Sequence, residues 1–178
     1  VDLYGKTMTW SYPADGRINH FTDAFGRILD FEYDGNNRLK WIDDNDGSDQ
    51  RRVIYTYGTT YNSQGDLISV TDVESKTSSF IYDTKHNITS RKDAFSPQRV
   101  IVTNIYDTFN RVIEQRCEGD PARAWKLYYT GFTGTEENPQ GGRKIYYYDE
   151  KRRALGMKDA LGNRTRILYD GQDHVIEQ

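Results

Sequence analysis

The sequence predicts an all-β protein, folded as an antiparallel meander of repeats of about 21 residues. Three observations lead to this fold class. A tyrosine recurs at nearly regular spacing, turn-forming residues recur at fixed distances after it, and apolar and polar side chains alternate between the turns. Alternation with a period of two is typical of strands with one buried and one solvated face. Each repeat is therefore expected to contain a strand, a turn, a second strand and a second turn.

The recurring tyrosine is followed in most copies by aspartate. Successive tyrosines are separated by 21, 28, 21, 24, 42 and 21 residues, and the gap of 42 spans a degenerate copy near Tyr129. Either Tyr57 or Tyr61 can hold the register of the third copy. The predicted structural positions of this element are Tyr12, Tyr33, Asp34, Tyr61, Tyr82, Asp83, Tyr106, Asp107, Tyr148, Asp149, Tyr169 and Asp170.

A second turn begins eleven residues after the tyrosine, with the pattern D-x-x-G in its best copies. An aspartate in the first position accepts a backbone N–H two residues on, and a glycine in the last position adopts positive φ at little cost. The turns after the tyrosine have Gly, Asn, Asp or His in that last position, residues that tolerate positive φ, except for Arg152, which does not fit the rule. The predicted positions of the second turn are Asp23, Gly26, Asp44, Gly47, Asp159 and Gly162.

The pattern Y-D-x-x-G-R-[LIV] followed by D-x-x-G resembles the YD repeat, also called the RHS repeat. Its clearest copies begin at Tyr33, Tyr106 and Tyr148. The resemblance implies a curved strip of β-sheet that spirals into a large hollow shell. In bacterial RHS polytoxins and insecticidal toxin complexes, such shells enclose a C-terminal toxin. In animal teneurins, a similar shell belongs to a cell-adhesion receptor.

We expect residues 1–178 to form a single YD/RHS-repeat domain, excerpted from a longer repeat shell, because neither end has a polar cap. The alternative is that copies of the chain pair edge to edge. Two stretches, near 48–60 and 117–142, are degenerate or inserted. Within the second, Gly131–Gly142 is rich in Gly and contains Pro, which predicts an excursion from the sheet as a surface flap.

Composition argues against several functions. The net charge is −3 with both signs interspersed, which does not favour binding to nucleic acid. Apolar runs are far too short to span a membrane. No signal peptide is visible, so a secreted or cell-surface location follows from the family resemblance alone.

Catalytic, cofactor and metal sites are not predicted. The three histidines fall at turn or strand positions of the repeat, and turn formation explains most aspartates. The aspartate-protease-like run that ends many bacterial shells is absent, since Asp120-Pro121 is followed by Ala122-Arg123. The acidic turn at 43–49 does not fit an EF-hand in either register, which leaves an ordinary turn or another type of calcium site.

Two functions remain. The first is a non-catalytic wall of a shell around a toxin or other polypeptide cargo, with neighbouring repeats as partners. The second is a module that binds a cell-surface glycan or protein through exposed aromatic side chains. Trp41 is expected to share the buried face of Leu39, whereas Trp125 lies in a degenerate region and is the candidate surface contact.

Overall fold

Short antiparallel strands joined by tight turns account for nearly all of the regular structure. The computed structural model describes residues 5–44, 51–61 and 63–177. The chain divides into two units, Val1–Arg99 and Val100–Gln178. The predicted turn position Gly47 lies outside the described residues, so the turn that begins at Asp44 is described only in part.

In the first unit, each strand pairs with the strand that follows it in sequence. The alternating segments between turns form these strands, as the period of two predicts. They are β1 (Thr9–Ser11), β2 (His20–Thr22), β3 (Ile28–Tyr33), β4 (Leu39–Asp44), β5 (Arg51–Tyr57), β6 (Leu67–Thr71), β7 (Thr77–Tyr82) and β8 (Ile88–Lys92).

The second unit continues the same pattern. Its strands are β9 (Val100–Tyr106), β10 (Val112–Cys117), β11 (Ala124–Thr130), β12 (Thr133–Glu137), β13 (Arg143–Tyr148), β14 (Ala154–Lys158) and β15 (Arg164–Arg166). A short 3-10 helix, Pro121–Arg123, precedes β11. The last two strands, β16 (Leu168–Tyr169) and β17 (Val175–Glu177), form a separate ribbon. The predicted all-β antiparallel meander is confirmed within each unit.

The predicted flap at Gly131–Gly142 is wrong. Residues 133–137 form β12, which pairs with β11 on one side and β13 on the other. The glycines instead serve the turns at the two ends of this strand, where Gly131 and Gly141 have φ angles of 54° and 82°. A high glycine content therefore marked closely spaced turns rather than a departure from the sheet.

A β-bulge recurs next to the repeat tyrosine. Tyr33 lies opposite Leu39, but the preceding Glu32 lies opposite Trp41, so Lys40 is an extra residue in its strand. Because side chains alternate along a strand, the bulge puts Leu39 and Trp41 on different faces. The predicted sharing of one face by these two residues is therefore wrong. The same shift accompanies Tyr57, Tyr82, Tyr106, Tyr148 and Tyr169.

The sheet forms a single layer in each unit, and little of it is buried. Among the described residues, Ala124, at 7% exposure, is the most deeply buried hydrophobic residue, and Asp43, at 4%, is its polar counterpart. Most side chains on the strands are half-buried by their cross-strand neighbours. Stability therefore comes mainly from backbone pairing and contacts between adjacent strands, rather than from a core between two layers.

Candidate functional site

The aspartate that follows the repeat tyrosine organises its turn. Asp34 Oδ1 accepts the backbone N–H groups of Asn36 (2.8 Å) and Arg38 (3.0 Å), and Oδ2 accepts Nε of Arg38 (2.8 Å). Asn37 has a φ of 63°, as the turn requires. This arrangement, in which an aspartate accepts the N–H groups two and four positions on, is called the Asp turn below.

Hydrogen bonding to the charged carboxylate favours ionisation. The Arg38 side chain, the Arg38 N–H and the Asn36 N–H together hold the pKa of Asp34 below its ordinary value. At Asp83, the side-chain amide of Asn87 is the main cause of the lowered pKa. These carboxylates are engaged within their own turns, so they are poorly suited to act as general acids at neutral pH.

The Asp turn recurs along both units. Asp23 accepts the N–H groups of Phe25 and Arg27, and Gly26 has a φ of 83°. The full pattern is made by Asp23, Asp34, Asp72, Asp83, Asp107, Asp159 and Asp170. Asp149 accepts the N–H of Arg153 at 2.9 Å, and Arg152 has a φ of 63°.

One turn of this kind was missed in the sequence. Asn138 Oδ1 accepts the N–H groups of Gln140 (3.0 Å) and Gly142 (2.8 Å), and thereby replaces the aspartate. The spelling N-x-x-G carries the same chemistry, because an asparagine side chain also accepts a backbone N–H two residues on. A search for Asn as well as Asp at this position would have found it.

In the described part of the chain, five tyrosine hydroxyl groups contact the preceding repeat. Tyr33 donates its hydroxyl hydrogen to the carbonyl of Ile18 (3.0 Å), the first apolar residue after the preceding tyrosine turn. These contacts, called the tyrosine ladder below, are Tyr33–Ile18, Tyr57–Leu39, Tyr82–Leu67, Tyr129–Val112 and Tyr169–Ala154, at 2.8–3.0 Å. The ladder links elements 15 to 18 residues apart in sequence.

An arginine covers most rings of the tyrosine ladder. The guanidinium of Arg38, already bonded to Asp34, lies 4.2 Å from the centre of the Tyr57 ring. A cation at this distance over a tyrosine face is attracted by the electrons of the ring. The pairs are Arg17–Tyr33, Arg38–Tyr57, Arg111–Tyr129 and Arg153–Tyr169, at 4.2–4.8 Å.

The predicted tyrosines outside this set differ in exposure, and the two candidates for the third copy can be told apart. Tyr57, not Tyr61, makes the contact of the third copy, and Tyr61 is 88% exposed. Tyr12 is also exposed, and Tyr106 is half-buried at the end of β9. The backbone N–H of Tyr148 donates to the carbonyl of Phe132 (2.8 Å).

Asp44 is the last residue of β4, opposite Arg51, and the neighbouring Asp43 forms an ion pair with Arg52 at 2.7 Å. Residues 45–49 of the acidic turn lie outside the described part of the chain. Within 5–44, 51–61 and 63–177, no three His, Cys, Asp or Glu side chains gather as a metal site would require. Trp125, the candidate surface contact, is 41% exposed on β11.

Each histidine is paired with an aspartate, a feature that the sequence did not indicate. His20 Nδ1 lies 2.5 Å from Asp30 Oδ1 across β2 and β3. The others are His86 with Asp66 (2.8 Å) and His174 with Asp170 (3.1 Å).

None of the helical structure in the described ranges has the length and hydrophobicity of a membrane span.

Comparison with known proteins supports the repeat interpretation. Residues 61–96 match the RHS Repeat family, and this match confirms the predicted resemblance to YD/RHS repeats. No curated protein matches the chain.

Solved structures share the fold. One is the Tc holotoxin pore of Photorhabdus luminescens, with a TM-score of 0.63 and 16% identity over 97% of this chain. Another is a TcdB2-TccC3 complex without its hypervariable C-terminal region, with a TM-score of 0.69 and 15% identity over 97% of this chain. The chain spans about 10% of the length of each of these proteins. At such low identities, the likeness establishes the fold.

Proposed function

We propose that this chain is a non-catalytic segment of the wall of a β-shell that encloses a toxin or other polypeptide cargo. The observation that carries the proposal is the tyrosine ladder, in which Tyr33, Tyr57, Tyr82, Tyr129 and Tyr169 are each hydrogen-bonded to the copy before their own. A contact of this kind can be made again by every further repeat that is added, and the contacts do not converge on a pocket. This is how a wall grows from nearest-neighbour interfaces.

The open faces of the sheet also support a wall. On one face of the first unit, apolar residues lie opposite each other across several strands, as in the row of Phe31, Ile42 and Val53. Trp10 and Phe21 continue this face, with ring centres 4.3 Å apart. A single layer leaves such rows partly solvated, and apolar surface of this kind favours contact with another polypeptide.

The use of polar groups supports a non-catalytic role. Turn aspartates accept N–H groups of their own turns, which engages the carboxylates that a general acid or base would use. Neighbouring repeats are the partners that the ladder requires. The relatives of this fold are chains of toxin complexes, which favours a secreted or cell-surface protein.

Limited proteolysis of the native polypeptide or assembly that carries this sequence tests the shell. We expect one segment outside the repeats to resist protease until the protein is denatured, and electron microscopy to reveal a hollow particle. Equal cleavage of all segments outside the repeats, in native and denatured protein alike, would contradict encapsulation.

A glycan- or protein-binding surface is the second candidate, because Trp125 exposes 41% of its surface from a regular strand. Exposed aromatic rings stack on sugars and on partner side chains. Binding to immobilised glycans should then be lost in Trp125→Ala and kept in Trp10→Ala, an exposed tryptophan of the first unit. Equal binding by both variants would exclude this surface.

A further inference from the structure

A groove lies between two turns at one edge of the second unit. The turn at 138–142 joins β12 to β13, and the turn at 159–162 joins β14 to β15. The space between them has a volume of about 480 Å³. The apolar side chains of Ile145 and Leu161 and the ammonium-bearing side chain of Lys158 contribute to its walls.

Two neighbouring cations, Lys158 in the groove wall and Arg164 beside it, form no ion pair. Lys158 lies directly opposite Arg164 across β14 and β15, and Ile145 is its neighbour on the other side. Like charges in opposite positions destabilise a sheet. Neither Lys158 nor Arg164 has an acidic partner within the described part of the chain. In contrast, Arg143 at the same groove is bonded to Glu137 at 2.7 Å.

The acidic residue of the groove is already engaged. Asp159 Oδ1 accepts the N–H groups of Leu161 (2.9 Å) and Asn163 (2.8 Å), and Oδ2 accepts the side-chain amide of Asn163 (2.8 Å). These bonds favour the ionised carboxylate, and they orient both of its oxygens into its own turn. Asp159 therefore does not serve as the partner of Lys158.

Leu161 makes the groove apolar at its rim and is 89% exposed. In the turns that begin at Asp23 and Asp93, the matching position is occupied by a phenylalanine ring under a cation. Arg99 lies 4.4 Å from the centre of the Phe95 ring, and Lys6 lies 3.8 Å from that of Phe25. A leucine has no such contact available, so its exposed surface is free to bind an apolar group.

We propose that this groove binds an extended acidic peptide segment of a partner protein, in which carboxylates alternate with apolar side chains. Carboxylates would pair with Lys158 and Arg164, and apolar side chains would contact Leu161 and Ile145. Charge complementarity selects the acid, and the apolar wall favours a peptide over a sulfated glycan, which has no apolar side chain to place there. The site does not depend on encapsulation, so either proposal can fail alone.

Fluorescence anisotropy with a labelled, end-blocked peptide of alternating Glu and Leu tests the groove. We expect peptides of Gln and Leu, or of Glu and Ser, to bind at least about fivefold more weakly, since each lacks one half of the complementarity. The double variant Lys158→Gln/Arg164→Gln should lose about tenfold in affinity. Leu161→Ser should lose about fivefold.

The matched control is Lys40→Gln/Arg91→Gln in the first unit. It removes the same charge from two exposed side chains that have no acidic partner among the described residues. Wild-type affinity in this control, with unchanged circular dichroism in all variants, supports the proposal. Equal affinity of the wild type and the Lys158/Arg164 variant would overturn it. Tighter binding of a heparin hexasaccharide than of the Glu/Leu peptide would also overturn it, in favour of a glycan site.

Discussion

Two tyrosines of the first unit make the same contact in different surroundings. Tyr57 donates its hydroxyl hydrogen to the Leu39 carbonyl at 2.9 Å, and the Arg38 guanidinium lies over its ring while bonded to Asp34. Burial raises the pKa of the Tyr57 hydroxyl, and the positive charge of Arg38 opposes this shift.

Tyr82 donates to the Leu67 carbonyl at 2.8 Å, but Asp66 occupies the sequence position that Arg38 holds in the other repeat. Asp66 accepts a hydrogen bond from His86 at 2.8 Å when Nδ1 of the imidazole carries its proton. Burial again raises the pKa of the tyrosine, and here the Asp66 charge raises it further.

The two repeats share one contact of the tyrosine and differ in the charge beside it. The hydroxyl-to-carbonyl bond is common to both tyrosines, whereas the group near the ring changes sign. The link between adjacent turns also reverses. Arg17 donates to Asn37 (2.7 Å) in an earlier pair of turns, but at the equivalent positions Asp66 is the acceptor and His86 the donor. A swap of donor and acceptor keeps the bond, so the repeat requires the link rather than the residue types.

Removal of either ring should have the largest effect. We expect Tyr57→Ala and Tyr82→Ala each to lower the free energy of unfolding by about 2–4 kcal/mol, since a half-buried ring is lost and a carbonyl loses its donor. Urea unfolding followed by circular dichroism measures this. Tyr61→Ala is the matched control and should change stability by less than about 0.5 kcal/mol, because that side chain is exposed. A cost for Tyr61→Ala equal to that of Tyr57→Ala would contradict the assigned register.

Removal of the hydroxyl alone isolates the common element. Tyr57→Phe and Tyr82→Phe should each cost about 1 kcal/mol, the usual net value of one hydrogen bond. The same urea experiment applies. Equal costs at the two positions support the view that the bond works independently of the charge beside the ring. A loss at Tyr57 alone would mean that Arg38 is needed to hold the hydroxyl in place.

Loss of the Arg38 side chain should lower the stability of the Tyr57 repeat by a contribution that the Tyr82 repeat, with Asp66 at this position, does not have. Arg38→Ala should cost about 1–2 kcal/mol, because the ring contact and the charge-assisted bonds to Asp34 are lost together. Arg38→Lys keeps the charge but not the planar group, so it should recover only part of the loss. Full recovery by lysine, measured by the same unfolding transition, would show that charge alone is sufficient.

Much of the turn structure could be predicted from the sequence, because an Asp turn depends on four or five contiguous residues. Asp159 and Gly162, or Asp34 and Asn37, carry the acceptor and the tolerance for positive φ within one short stretch. Local chemistry of this kind is readable without knowledge of the partner strand. The positions of the strands could then be predicted as well, because two turns at known spacing fix the length of the strand between them.

Non-local features could not be predicted in this way. The bulge at Lys40 exists only in the pairing of β3 with β4, and it moved Trp41 to the face opposite to the expected one. Tyr57 and Tyr61 are alike in sequence, and the choice between them depends on the Leu39 carbonyl, 18 residues away from Tyr57. The groove at Leu161 required the turn at 138–142, whose Asn138 was not recognised as an equivalent of aspartate.

Protonation of a single turn aspartate should have the smallest effect on the free energy of unfolding. It distinguishes a turn in which the aspartate is bonded to an arginine from one in which it is bonded to an amide. The pKa of Asp34 is lowered chiefly by Arg38, and that of Asp83 chiefly by the Asn87 amide. Because both pKa values are lower in the folded than in the unfolded state, the unfolded chain binds more protons in acid. The stabilisation is therefore present above about pH 4 and is lost as pH falls through the folded pKa.

Urea unfolding between about pH 5 and pH 2 should thus show a smaller loss of stability in Asp34→Asn and in Asp83→Asn than in the wild type. Salt at about 1 M should weaken the Asp34 contribution more than that of Asp83, because it screens an ion pair but not an amide. An acid dependence unchanged in Asp34→Asn, or an equal response of both turns to salt, would mean that Arg38 acts on the turn through its contact with the Tyr57 ring rather than through the carboxylate.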